Sequence, residues 1–575
     1  MGRSTEEPLR RRQLLGRAGA VAAGRVAGVA GAAAGPGGER PDAANGPGHG
    51  HGPGEGSGCR PGVGPDGGVA WPVVVRPGDL RYDSLLRGDN FRFVGRPDEI
   101  RVVGSTEQVV RAVDDAVRSG RRIAARSGGH CFENFTAAPE IRLLLDLSPL
   151  DAVGFDPAMG AFSVRPGATL GQVYRTLFTG WGVTIPAGGC PEVGAGGHLC
   201  GGGYGPLSRR YGSVVDHLHA VEVVVADRAD GARVVVATRD PDDPHHDLWW
   251  AHAGGGGGNF GVVTRYWLRS RDVPAGAGRD DPARLLPPAP GELLETLVTW
   301  AWDATMDERT FTALLRGFGT WHERGSAPGS PATALYANFL AGHRSSGVLQ
   351  MVAQIDAGLP DAEALLDGLV SAVTAEAGVP PLATLRRTMP WLHAMTWPGT
   401  GEAGNVVSRR YKDKAGYLRR RFTDTQLATA YRHLTDDTDG TESGLLLVGY
   451  GGQVNAVAPH ATAVAQRDSV MKAIYYTVWT DPSDDAARLA WIRDFYREVY
   501  QDTGGVPVPG GISDGSYINY PDVDLADPAW NTSGVPWHTL YYKDNYPRLQ
   551  RIKARWDPRD VFRHALSIEP PRRRS

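Results

Sequence analysis

Cysteine is scarce in this chain. Four of them, Cys59, Cys131, Cys190 and Cys200, in 575 residues are too few for a disulfide scaffold. They also lack the paired short spacing of a zinc site, so no metal centre is expected. An excess of charge of either sign is missing too: 61 basic against 64 acidic residues leave a net charge of -3. With no basic block interleaved with aromatics, a nucleic-acid partner is not expected. No internal repeat is visible, and no strand is followed by Gly-x-x-x-x-Gly-Lys-Ser/Thr, which argues against a nucleotide triphosphatase. The apolar run near the N-terminus is weakly hydrophobic and interrupted by Arg17 and Arg25, whereas a membrane span needs about 20 predominantly apolar residues. Stable membrane insertion is therefore not expected. What is present is a globular balance of 41% hydrophobic and 22% charged residues, long enough for several domains around a sizeable buried site.

Residues 1–35 place Arg10, Arg11 and Arg12 before Gln13, Leu14 and Leu15 and a stretch of Ala, Gly and Val, the layout of a twin-arginine export signal. This predicts a secreted or extracytoplasmic protein; a plain basic tail on a cytoplasmic one is the alternative. Residues 36–80 are rich in Gly and Pro and read as a linker, in which His49 and His51 have no fixed geometry for a metal. From about Tyr82 the pattern alternates. Ser105 opens a helix over Val109–Val117, and Leu170–Leu177 reads as another. Arg122–Ala125, Leu143–Leu147 and Ala161–Arg165 read as strands, His219–Ala226 and Arg233–Ala237 as a hairpin around Asp230-Gly231, and Phe260–Thr264 as a further strand. Pro- and Gly-rich punctuation from Val273 to Pro290 marks a boundary. The expected division is a first lobe over 81–275, a mixed α/β lobe over 276–505 and a C-terminal segment over 506–575. In the second lobe Leu293–Ala301 and Ala362–Thr374 look helical and Leu445–Tyr450 and Ala473–Trp479 look like strands; Pro547–Trp556 is the last helix.

Chemistry concentrates in glycine. Arg126-Ser127-Gly128-Gly129-His130 ends the strand at 122–125, and its glycines let backbone amides approach a ligand; taken alone, a surface turn with a capping histidine has the same look. A longer tract runs from Pro186 through Cys190 to His198 and on to Gly201–Gly205. A glycine costs about 1 kcal/mol relative to alanine inside a helix, so a tract this dense lines something, and a phosphate-bearing cofactor held by backbone amides is the natural candidate.

Four segments carry a specific resemblance: Ser-Gly-Gly-His at 127–130, Cys-Pro-x-Val-Gly-x-Gly-Gly-His at 190–198, Gly-Gly-Gly-Tyr-Gly at 201–205, and Asp-Leu-Trp-Trp-Ala at 247–251 before Gly-Gly-Asn-Phe-Gly-Val-Val-Thr at 257–264. They resemble the FAD domain of the berberine bridge family. The tail agrees: Tyr517-Ile518-Asn519-Tyr520-Pro521-Asp522, Tyr541-Tyr542, Asn545, Arg548-Leu549, Lys553, Asp557-Pro558, Val561-Phe562 and Ser567-Ile568 resemble the same family's C-terminal signature. The match spans roughly 82–570, and its wording at 243–252 and 517–522 is closest to actinobacterial hexose oxidases that act on glycopeptide antibiotics.

The resemblance implies an α+β fold: a two-lobed FAD-binding domain of the PCMH/vanillyl alcohol oxidase type, an α/β substrate domain and a C-terminal segment that returns to the flavin. It implies FAD bonded by His130 at its 8α carbon and by Cys190 at carbon 6. Around the cofactor it places Arg126, Ser127, Gly128, Gly129, Val193, Gly194, Gly196, Gly197, His198, Gly202, Gly203, Gly205, Asn259, Gly261, Val262, Val263 and Asn519. Valine at 193 goes with oxidase behaviour and Gly188 leaves a path for dioxygen. Tyr520 is the implied base. A tyrosine ordinarily titrates near pH 10, so a cation or a hydrogen-bonded phenol must stabilise its phenolate, and Tyr204, Tyr450 and Tyr517 are the candidate helpers. The expected activity is oxidation of an alcohol on a sugar or a glycosylated or polycyclic natural product, with dioxygen giving hydrogen peroxide. Oxidative cyclisation or desaturation of a polyketide or alkaloid needs the same flavin, and a drug-sequestering resistance protein is the non-catalytic alternative, which retention of Tyr520 disfavours.

Overall fold

The computed structural model describes residues 71–228, 231–274, 276–277, 281–396, 409–438, 440 and 442–571. The export-signal-like stretch, most of the Gly/Pro-rich linker with His49, His51 and Cys59, and Asp230 of the expected turn lie outside the described residues.

The first lobe holds two sheets. In one, β1 (Val73–Val75), β2 (Glu99–Val102), β3 (Ile123–Arg126) and β4 (Leu143–Asp146) are ordered β1-β2-β4-β3, with the pairs β2/β4 and β4/β3 parallel. A parallel connection needs a crossover, here the helix Thr106–Ser119. Ser105 caps it by accepting from the Gln108 amide, Gly120 closes it in a left-handed turn (φ 66°), and Val109, Ala112, Val113 and Ala116 form its buried stripe. In the other sheet, β5 (Val153–Asp156), β6 (Ala161–Val164), β7 (Leu218–Arg228), β8 (Gly231–Thr238) and β9 (Val262–Leu268) are antiparallel in the order β5-β6-β9-β7-β8.

The second lobe is a seven-stranded antiparallel sheet rather than one with parallel βαβ units. Its strands are β10 (Glu292–Ala301), β11 (Tyr336–Gly342), β12 (Val348–Asp356), β13 (Ala383–Pro390), β14 (Arg410–Leu418), β15 (Ser443–Gly449) and β16 (Met471–Trp479), ordered β13-β10-β12-β11-β15-β16-β14. Leu293–Ala301, expected as a helix, is therefore strand β10, paired on both sides with β12 and β13. Nearly every residue along it is buried, so its apolar run carries no period of two, and its β-branched Thr296, Val298 and Thr299 with Trp300 favour a strand packed on both faces. Helices Glu308–Gly325, Ala362–Ala377, Asp424–Leu434 and Asp485–Val499 cover this lobe. Strand alternation separates its two faces: Tyr475 packs edge-on against Phe495 and Tyr496 of the last helix, while Ile474, Tyr476 and Val478 point into a cavity.

The C-terminal segment joins the lobes. The Tyr417 amide donates to Gly515 O (2.8 Å) and the Asp514 amide to Tyr417 O (2.9 Å), so this stretch runs along the free edge of β14. It then crosses to the first lobe, where the buried Lys553 of helix Tyr546–Trp556 donates to Asn259 O (2.8 Å) and pairs with Asp557 (2.7 Å).

Candidate active site

A cavity of about 670 Å³ lies between the lobes, lined by the loop after β3, the loop 188–198, the start of β9, one face of the seven-stranded sheet and residues 517–521 and 562–564. Backbone contact builds its floor. An ideal Cβ on Gly128 would sit 2.4 Å from the Gly194 amide nitrogen, so only glycines let the His130 loop and the Cys190 loop run side by side. Other glycines face the void: a Cβ on Gly197 would have no atom within 4 Å, and on Gly257 only Cys200 Cβ at 3.9 Å. Amide-lined space of this kind suits a pyrophosphate and a flat ring system, which is the test that FAD must pass here.

His130 Nδ1 lies 4.0 Å from Asp89, itself paired with Arg409 at 2.7 Å. Burial opposes ionisation of Asp89, yet His130 and Arg409 together hold its carboxyl below the ordinary value. Burial raises the Cys190 thiol. His198 Nε2 accepts from the Gly188 amide (3.2 Å), and burial, aided by Lys472, lowers this imidazole to about 4, so it is a neutral brace for the Cys190 loop. Arg126 pairs with Asp146 (2.6 Å) and donates to Arg87 O (3.1 Å), and Ser127 Oγ donates to Pro166 O (2.5 Å); both shape the wall they line.

Above this floor stand tyrosines. Tyr204 Oη and Tyr520 Oη share a hydrogen bond of 2.8 Å. The Gly203 amide donates to Tyr517 Oη (2.9 Å), as does Asn519 Nδ2 (3.0 Å), which also reaches His198 O (2.9 Å). Behind them is Lys472, 1% exposed, whose Nζ has no hydrogen-bond partner among the described residues. It sits 3.1 Å from the ring centre of Tyr204, 3.8 Å from that of Tyr517 and 4.5 Å from those of Tyr417 and Tyr450. Burial drives the ammonium well below lysine's ordinary range. Burial raises Tyr520 to about 12, opposed by the Tyr204 hydrogen bond.

Of the residues singled out in the sequence, His130, Cys190, Arg126, Ser127, Gly128, Gly129, Val193, Gly194, Gly196, Gly197, His198, Tyr204, Gly205, Gly261, Val262, Val263, Tyr517, Asn519 and Tyr520 line one cavity. Tyr450, Gly202, Gly203 and Asn259 do not; they stand behind its wall. Asn259 Nδ2 reaches the carbonyls of Gly255 and Gly256 (both 3.3 Å) and its Oδ1 accepts from Ile568 (3.0 Å), bracing the glycine loop from outside. Asp89, Arg409, Asp413, Phe132 and Lys472 were not found from the sequence. The one available signal was a lysine inside the otherwise apolar and aromatic strand that begins at Met471.

Comparison with known proteins decides the family. The description "FAD binding domain" matches residues 97–231 and "Berberine and berberine like" matches 516–569. The chain is 54% identical over 494 residues to an aclacinomycin-N/aclacinomycin-A oxidase of Streptomyces galilaeus, covering 86% of this chain and 89% of that protein. The chain belongs to the berberine-bridge-like family of FAD-linked oxidoreductases. A hexose oxidase of Chondrus crispus is 31% identical over 537 residues, covering 85% and 93% of the two chains. The crystal structure of a glycopeptide hexose oxidase complexed with teicoplanin superimposes with a TM-score of 0.82 at 53% identity, covering 87% and 99%. As a member of this family the protein binds FAD, and its glycine-lined floor fits that cofactor.

Proposed function

We propose that the protein oxidises an alcohol of a sugar or glycosylated natural product, with FAD tied to both His130 and Cys190 and dioxygen as final acceptor, yielding hydrogen peroxide. The observation that carries this reading is the Tyr204–Tyr520 phenol pair, 2.8 Å apart, in the same cavity as His130 and Cys190. Bound FAD supplies a hydride acceptor. The chain's own groups do the rest. His130 and Cys190, on two loops in backbone contact, would grip one ring from two sides and leave its face open to a bulky substrate. Tyr520, as phenolate, takes the substrate's hydroxyl proton at Oη as hydride leaves the adjacent carbon, and Tyr204 Oη, at hydrogen-bond distance, stabilises the phenolate before that transfer. Lys472 lies beneath the Tyr204 ring, outside the cavity lining, and when protonated would favour that charge. Val193 and Gly188 line the cavity, in keeping with oxidase behaviour. Leu340, Val348, Leu446, Val448, Ile474 and Val478 give the sheet side of the cavity an apolar surface, which suits a large aglycone. The relatives named above for aclacinomycin, hexose and glycopeptide oxidation support the substrate class.

The test is anaerobic mixing with a panel of sugars and glycosylated antibiotics, following flavin bleaching, then admission of dioxygen and titration of peroxide. Bleaching and one peroxide per turnover are expected; no bleaching across the panel rejects the reading. Acid precipitation should give a yellow pellet. His130→Ala and Cys190→Ala should each retain flavin and the double variant should release it; a single variant that empties the site rejects the two-anchor arrangement. We also propose export through the arginine motif, supported by the sequence layout alone: Arg11→Lys/Arg12→Lys should abolish extracellular yield, and undiminished yield rejects it.

A further inference from the structure

On the helix-facing side of β14, opposite the cavity-lining Tyr411 and Asp413, lies a second buried lysine, Lys412, 2% exposed. Its ammonium contacts Glu133, itself 5% exposed, and Asp522 at 2.8 Å, which is fully buried, with Asp524 farther off at 3.9 Å. Burial opposes its charge, but Asp522 and Glu133 more than compensate and raise it above lysine's ordinary range. The two carboxylates come from distant parts of the chain with one thing in common. Glu133 is three residues after His130, and Asp522 is two after Tyr520. The loop between them is in contact as well: the Phe132 ring stacks on the Tyr520 ring, centroids 5.2 Å apart and planes within 1°, and stands edge-on to Tyr411 at 5.5 Å. The Val523 amide reaches Glu133 (3.4 Å), and Asn90 Nδ2 donates to Phe132 O (3.3 Å) and Tyr411 O (3.0 Å).

A buried ion pair contributes little net stability over well-packed apolar side chains, so a stability argument alone does not account for three charges at this junction. We propose that Lys412 is a positioning residue for catalysis: it clamps the segment that carries Tyr520 to the loop that carries His130, and so sets the distance and tilt of the base relative to the cofactor. The proposal rests on the role of Tyr520 given above. Lys412 does not line the cavity and acts through Glu133, Phe132 and the Asp522–Asp524 segment. Adjacent on the same strand is a lysine that shares Asp522 with Lys412 without reaching the His130 loop. Lys414, 2% exposed, also pairs with two buried carboxylates, Asp522 (2.6 Å) and Asp524 (2.8 Å), and makes no contact with Glu133.

The experiment compares flavin-loaded Lys412→Met, Glu133→Gln and Lys414→Met in anaerobic stopped-flow, with whichever substrate first gives peroxide. It separates the limiting rate of flavin reduction from the substrate dissociation constant. Misplacement by about 1 Å costs up to 10²-fold in rate, so Lys412→Met and Glu133→Gln should slow the limiting rate about 10- to 100-fold with little change in substrate affinity. Lys414→Met, which loosens the same Asp522 but keeps the tie to Glu133, should lower the melting temperature and slow the rate less than either of these variants. Equal rate losses in Lys412→Met and Lys414→Met, or wild-type rates in Glu133→Gln, overturn the proposal. Should Lys412→Met fail to fold, Glu133→Gln decides by itself, since it keeps the side chain's shape. Tyr520→Phe in the same assay separates the two layers of argument. A slow Tyr520→Phe beside a fast Glu133→Gln removes the clamp alone, whereas a fast Tyr520→Phe removes the base and the clamp with it.

Discussion

Two buried lysines on neighbouring strands of one sheet meet opposite surroundings. Lys472 on β16 faces four tyrosine rings and, among the described residues, no carboxylate that pairs with it, whereas Lys412 on β14 faces three carboxylates within ion-pair distance. The first is held in a form costly to charge, the second in a form costly to discharge. The same residue type therefore does different work on the two faces: near the reacting atoms its charge is left uncommitted, and away from them it is committed to tying segments together.

Tyr520→Phe tests the catalytic face most severely. Loss of the phenolic oxygen should slow flavin reduction by about 10² to 10⁴, the usual contribution of general-base catalysis, while Tyr517→Phe costs less. Equal losses in both, read by anaerobic bleaching, would point to disrupted packing instead. On the tying face, Lys412→Met leaves Glu133 buried without its lysine, while Asp522 keeps Lys414, and should cost about 3–5 kcal/mol of stability, measured by denaturant unfolding. A loss as large for Lys472→Met would erase the contrast, because that change leaves no buried carboxylate without its partner.

The smallest effect is in pH, and it has opposite signs. Lys472 has its folded pKa depressed, so the unfolded chain binds more protons above that value and wild-type stability rises with pH up to lysine's ordinary range, about 10.4. Lys412 has its folded pKa raised, so its contribution is complete below that range and is lost only as pH climbs through the folded value. Between about pH 8 and 10, Lys472→Met should therefore flatten the stability curve relative to wild type and Lys412→Met should leave its slope alone; parallel curves for Lys472→Met and wild type would contradict the depressed state of Lys472.

Much of the catalytic face was legible in the sequence because it is written in contiguous runs. Ser127–His130, Cys190–His198 and Tyr517–Asp522 each hold a local motif whose glycines or aromatics have no other ready explanation. The tying face was not legible. Glu133, Lys412 and Asp522 are 279 and 110 residues apart along the chain, and no local pattern marks a charge that will be neutralised from so far away. Asn259 shows a different failure: its motif was visible, but a side chain directed at Gly255 and Gly256 rather than into the cavity is a matter of rotamer, which sequence does not express. β10 was misread because burial on both faces erases the alternation that separates a strand from a helix.

The sheet that roofs the cavity has a consequence for how such a protein can diversify. Along β11, β15 and β16 successive residues point alternately to the cavity and to the helices, so Asn338 and Leu340, Leu446 and Val448, and Ile474, Tyr476 and Val478 can be exchanged while Phe339, Leu447 and Tyr475 keep the hydrophobic core intact. Selectivity and foldability are thereby written on alternate positions of the same strands, and a new substrate can be accommodated by rewriting one register without disturbing the other.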